Sequence, residues 1–159
     1  QPRAGKKEMI VMEFSDPVTI ILKLLLATLL SGLIGLERES RHKGAGLRTH
    51  MLVGISACLV ALTSIYVSDI YRDTNLDPTR LLHGIITGIG FLCAGTITRA
   101  GDQVVGLTTA ATVWTVACIG MAVGVGQYIT ATVFTLIVFF VLIGVRSFEK
   151  RIKAQNNKE

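Results

Sequence analysis

Apolar runs separated by short polar stretches organise this chain. The runs cover roughly 18–36, 49–67, 80–98, 107–125 and 128–145, each close to the ~20 residues a helix needs to cross a ~30 Å hydrocarbon core. Polar stretches at 37–48, 68–79 and 99–106 divide the first four. From Gln103 to Val145 there is no Asp, Glu, Lys or Arg. A break at Gly124-Val125-Gly126-Gln127 splits that stretch into two spans joined by a tight turn. Backbone groups in lipid must be bonded internally, which favours helices. The runs lack the period-two alternation of membrane β-strands. The pattern predicts an all-α integral membrane protein with five transmembrane helices spanning 18–146, an extracytoplasmic N-terminal segment 1–17 and a basic tail 147–159.

Composition agrees: 50% of the 159 residues are hydrophobic and 17% charged, with a mean hydropathy of +0.56. Lys and Arg set the expected orientation. Arg38, Arg41, Lys43, Arg48, Arg99, Arg146, Lys150, Arg151, Lys153 and Lys158 fall on one side, against Arg3, Lys6, Lys7, Arg72 and Arg80 on the other. The richer side is expected to be cytoplasmic, with the N-terminus out and the C-terminus in. Gln1–Glu8 precedes Met9 and Met12, either of which suits a natural start, so part of that segment is read as added or as a misassigned start. The positive charge lies at helix ends, where it meets anionic headgroups, so a lipid bilayer and not nucleic acid is the expected partner. Cys58, Cys93 and Cys118 sit inside spans without CxxC spacing and read as small buried residues.

The chain also matches itself sixty residues on. Gly35, Gly46, Leu47, Thr49, Val53, Ala57 and Cys58 pair with Gly95, Gly106, Leu107, Thr109, Val113, Ala117 and Cys118. Helices one to four therefore read as a parallel repeat of helical hairpins, with the fifth helix outside it. Small residues at Gly84 and Gly88, at Gly120 and Gly124, and at Gly95 and Gly106 predict close helix packing within the fold. The same spacing would also suit a homo-oligomer face.

Several polar groups stand out. Glu37, Arg38 and Glu39 end helix one, and Arg48, Thr49 and His50 open helix two after the Gly44-Ala45-Gly46 turn. Glu37 and Arg48, at matched depths, are expected to form an ion pair pinning the two helices. His50 and His83 lie at opposite faces and cannot share a metal; each reads as an interhelical hydrogen-bonding residue. Lys23 is expected to snorkel outward. Asp69, Asp73 and Asp77 read as a solvated outer loop. In the second hairpin, Arg99 precedes a Gly101-Asp102 turn, and Thr108, Thr109, Thr112, Thr115 and Trp114 open helix four. Helix N-termini attract anions, so a small anion site near Arg48 and Arg99 is one reading. Threonines bonded to their own helix are the other.

The blocks Gly35–Glu39, Ala45–His50, Gly88–Gly95 and Gly106–Trp114 are similar to the signature blocks of the MgtC/SapB family, over about residues 18–145. Cys93 stands where that family usually has glycine. The resemblance implies a bacterial inner-membrane protein of about five spans, tied to growth in low magnesium and, in some members, to virulence as survival in hosts. It implies a regulatory role through membrane partners that include the ATP synthase. Longer members carry a further soluble domain.

Transport of magnesium or another cation is the alternative. Magnesium asks for carboxylates in octahedral geometry, and a transport path would place ionisable groups well inside the spans. Glu37 is the deepest carboxylate here, at a helix margin. No activated nucleophile, metal spacing or phosphate loop points to an enzyme. No cofactor is expected, with magnesium at most an effector. The site residues expected to touch a partner or ion are Glu37, Arg38, Glu39, Arg48, Thr49, His50, Arg99, Thr108, Thr109 and Trp114.

Overall fold

A computed structural model describes residues 16–71, 77 and 79–156. Its elements in chain order are α1 (Pro17–Ser40), α2 (Leu47–Ile70), α3 (Thr79–Thr96), β1 (Thr98–Ala100), β2 (Gln103–Val105), α4 (Leu107–Gly124) and α5 (Tyr128–Asn156). The expected segment 1–17 lies almost wholly outside the described residues. The backbone of α5 continues as helix through most of the expected tail.

Helix ends follow local chemistry. Asp16 caps α1 by accepting from the Thr19 amide at 3.0 Å, with Pro17 in the first turn. α1 stops in a Schellman motif: the His42 amide donates to Glu39 O and the Lys43 amide to Arg38 O. His42 takes the left-handed position there with φ 53, a place usually given to glycine. α4 ends the same way, with Gly126 at φ 87 and the Gln127 amide on Ala122 O. Between α3 and α4, the stretch expected as a loop is a short hairpin pairing Thr98 with Val105, Arg99 with Val104 and Ala100 with Gln103. Gly101 and Asp102 turn it, as expected, with Gly101 at φ 63.

Packing centres on α2 against α4, with α1 laid across both and α3 and α5 on the flanks. The α2–α4 contact runs through small residues. A Cβ on Gly120 would strike the Gly54 carbonyl, and one on Gly124 would lie 2.6 Å from the Ala61 Cβ. Gly35 likewise brings α1 onto Leu47 and His50 of α2. Gly106 has φ 94 and presses against the Thr96 carbonyl. The expectation for Gly84, Gly88 and Gly95 needs correction: nothing lies within 4 Å of a Cβ at any of them. Small residues permit close approach, but α3 presents these to the outside.

The outer surface is apolar, unlike that of a water-soluble domain, around a core of residues such as Ile34, Val53, Val116 and Ile119 that also holds polar groups. The outward stripe of α1 is Ile21, Leu22, Leu25, Leu29 and Leu33, while its buried positions include Lys23, Ser31, Glu37 and Arg38. His50, Ser64, Thr109, Thr112 and Thr135 are also buried. Large apolar faces outward and polar groups inward are what a lipid solvent selects. Among the described residues, three helices are long and apolar enough to cross a membrane, Pro17–Ser40, Leu47–Ile70 and Leu107–Gly124; Tyr128–Gly144 is a shorter apolar stretch. The protein is thus an all-α membrane protein. Lys23 does not snorkel outward as expected: it is buried, with Nζ 5.9 Å from the centre of the Tyr128 ring.

Candidate functional site

The charged end of the bundle gathers the last turn of α1, the 41–46 turn, the hairpin and the first turn of α4. Glu37 and Arg38 are both buried. The expected Glu37–Arg48 pair is not made. Glu37 instead holds Arg38 Nη1 on its own helix and Arg41 Nε at that helix's C-cap, each at 3.3 Å. The i,i+4 spacing of Glu37 and Arg41 puts them on one face, whereas Arg48 and Thr49 point outward and are exposed. Glu39 reaches across the turn and accepts from the Leu47 amide at 3.0 Å, supplying the cap that Gly46 lacks. A Cβ on Gly46 would meet the Glu39 carboxylate, so a larger residue there would displace this cap.

Behind this lies a buried polar link between α2 and α4. His50 Nδ1 is 2.8 Å from Gly46 O and Nε2 is 3.0 Å from Thr112 Oγ1. Thr112 Oγ1 also lies 2.9 Å from Thr109 O. His50 is the interhelical residue expected; His83 is not. Its ring is exposed and bonds the Thr79 carbonyl of its own helix. Trp114 faces outward, away from the cluster. Arg99 is exposed on β1.

Beside the link is a cavity of about 500 Å³ lined by Glu37, Arg38, Arg41, Lys43, Val104, Gly106, Leu107, Thr108, Thr109, Val141 and Leu142. It takes Glu37, Arg38, Thr108 and Thr109 from the expected set, leaves out Glu39, Arg48, Thr49, His50, Arg99 and Trp114, and adds Arg41, signalled by its i,i+4 spacing from Glu37, and Lys43. A second, apolar cleft of about 350 Å³ lies between α2 and α3, lined by Leu52, Val53, Ser56, Ala57, Val60, Ile85, Gly88, Ile89 and Leu92. Among the described residues, no group of three or more His, Cys, Asp or Glu side chains could hold a metal ion. At the opposite end, Asp77 accepts from the Thr79 amide at 2.9 Å and from its hydroxyl. Those bonds, with help from His83 and Arg80, hold its carboxyl below the ordinary range. Asp73, of the expected outer loop, lies outside the described residues.

An apolar outer surface, small-residue helix crossings and a charged end define an all-helical membrane protein. The family model described as MgtC family matches residues 24–151, and the chain belongs to that family. It is 44% identical over 124 residues to "Putative magnesium transporter YhiD" of Escherichia coli, covering 74% of this chain and 58% of that one. It is 41% identical over 141 residues to "Protein SapB" of Bacillus subtilis, covering 86% and 59%. It is 45% identical over 132 residues to "Protein MgtC" of Salmonella typhimurium, covering 83% and 54%. The chain thus spans less than three-fifths of the length of these relatives. No solved structure matches.

Proposed function

We propose that the protein is a regulatory component of a bacterial inner membrane, bound up with adaptation to low magnesium, that acts by helix–helix contact with membrane partners. The carrying observation is the cleft between α2 and α3. Its walls are apolar, and on the α3 side Gly88 opens onto it with nothing within 4 Å of a Cβ. Gly84, one turn earlier, is equally unobstructed. Lipid tails gain little from such a groove, whereas a partner helix gains close backbone approach and van der Waals contact. The ATP synthase, named through the family resemblance, is the first partner to test, and a second copy of this chain is another. Basic residues at the charged end favour the orientation with that end, and the C-terminus, in the cytoplasm, and five crossings.

Photo-crosslinking in cells tests this, with a photoreactive side chain at Leu92 in the cleft and, as a control, at Leu25 on the outward stripe of α1. The expected result is a protein adduct specific to Leu92. Equal adducts from both positions would mean the cleft is covered by lipid and the reading fails. Self-adducts alone would make it a homo-oligomer contact. Because a relative carries the name of putative magnesium transporter, protein-dependent magnesium uptake by sealed proteoliposomes is the rival outcome. Flux abolished by Glu37→Gln, in vesicles where folding is confirmed, would replace regulation with transport.

A further inference from the structure

We propose that the charged-end cavity is a binding site for a phosphate group. Three observations converge on it. First, α4 begins there without a side-chain cap: Gly106 offers none, so the opening amides of an 18-residue helix keep their donors for an outside acceptor. The starts of α1, α2 and α3 differ, each taking a carboxylate from Asp16, Glu39 and Asp77.

Second, and independently, Arg38 lines the cavity with its side chain 6% exposed, yet its Nε has no hydrogen-bond partner. A guanidinium so buried demands acceptors for its remaining donors. Among the described residues the acid paired with it is Glu37, which already takes Arg38 Nη1 and Arg41 Nε. Third, Arg41 and Lys43 line the same wall, so the cations outnumber the carboxylate.

Free helix N–H groups, a threonine hydroxyl at Thr108 and an arginine fork together suit a tetrahedral oxyanion with several oxygens. The cavity, at about 500 Å³, lies within the range of about 300–1,000 Å³ typical of small-ligand sites. Val141 and Leu142 supply an apolar wall for whatever substituent the phosphate carries. Two sources share this chemistry, an anionic phospholipid headgroup and a soluble phosphate. The site does not depend on the α2–α3 cleft and stands or falls apart from it.

Two binding measurements on the full chain separate the sources. In detergent, native mass spectrometry follows retention of phosphatidylglycerol against phosphatidylcholine. In phosphatidylcholine nanodiscs, equilibrium dialysis follows radiolabelled inorganic phosphate. Arg38→Gln removes the buried fork but threatens folding, so the deciding variant is Arg41→Gln/Lys43→Gln, at more exposed positions. Arg48→Gln removes a cation of the same end that does not line the cavity. At least one probe is expected to bind, about tenfold weaker or worse in the double variant and unchanged in Arg48→Gln. Phosphatidylglycerol retention alone assigns a headgroup; inorganic phosphate binding assigns a soluble ligand. If neither probe binds, or Arg48→Gln loses as much as the double variant, the cavity is not a phosphate site.

Discussion

His50 Nε2 lies 3.0 Å from the hydroxyl oxygen of Thr112, so two side chains 62 residues apart in sequence join α2 to α4 inside the bundle. The Gly46 carbonyl can only accept, so His50 Nδ1 carries a proton toward it. On a neutral ring Nε2 then accepts, and Thr112 donates. The same hydroxyl faces Thr109 O at 2.9 Å, and its one proton serves one acceptor at a time. Thr112→Val leaves the buried imidazole nitrogen without a donor and should cost about 1–2 kcal/mol. Thr112→Ser keeps the hydroxyl and should retain most of that stability. Thermal unfolding in detergent decides it: equal melting of the two variants would mean the bond contributes nothing.

The glycines of α4 and α3 should respond in opposite ways. Gly120→Val would drive a side chain into the Gly54 carbonyl, forcing the α2–α4 crossing apart at a cost of about 1–3 kcal/mol or more. Gly84→Ala meets open space and should stabilise α3 by up to about 1 kcal/mol through helix propensity alone. Melting curves of the two proteins should therefore move in opposite directions.

The uncharged stretch from Gln103 onward and the glycine-bearing turns at 101 and 126 announce helices and turns, because chain length in lipid and positive φ are local requirements. Partnership is not local. Gly84 and Gly120 sit in identical spacing patterns, and only the placement of α2 against α4 decides that one is a crossing and the other an open face. Glu37 has cations both across the 41–46 turn and one helical turn away; depth matching favours Arg48, while helix geometry gives it Arg41. The α1 stripe was legible as apolar, but that Lys23 turns inward to Tyr128 depends on where α5 lies. The anion reading set Arg48 and Arg99 near the starts of helices two and four, whereas the cavity at the start of α4 is lined by Arg38, Arg41 and Lys43, which again depends on how the helices pack.

Asp77 gives the opposite end a pH signature. Its bonds from the Thr79 amide, then from the Thr79 hydroxyl, depress its carboxyl pKa in the folded protein below the ordinary value of about 3.9. A depressed carboxylate stabilises the folded state above its unfolded value, and that contribution fades as pH falls through the folded value. The start of α3 should therefore stay protected down to about pH 4 and begin to fray below it. Asp77→Asn should flatten this dependence, since an amide does not titrate there. Hydrogen exchange at the Thr79 amide between about pH 5 and pH 3 is the readout; an unchanged pH profile in the variant would show that the cap is not set by this carboxylate.

Glu37 and Arg48 carry opposite charges at the same end of the bundle, yet their removal should differ sharply. Glu37 has a side chain 5% exposed and compensates Arg38, itself 6% exposed. Glu37→Gln leaves that guanidinium buried without its counter-charge, a change that costs about 3–5 kcal/mol for a buried pair. Arg48 is exposed on α2, so Arg48→Gln should stay within about 0.5 kcal/mol of the parent. A double variant, Glu37→Gln with Arg38→Gln, removes both charges and should recover part of the loss, because replacing the pair is less costly than orphaning one member. Unfolding in detergent should therefore rank the parent and Arg48→Gln highest, the double variant next and Glu37→Gln last. A double variant no more stable than Glu37→Gln would mean that the carboxylate acts through Arg41 alone, and that the buried guanidinium of Arg38 is satisfied by something other than its neighbour.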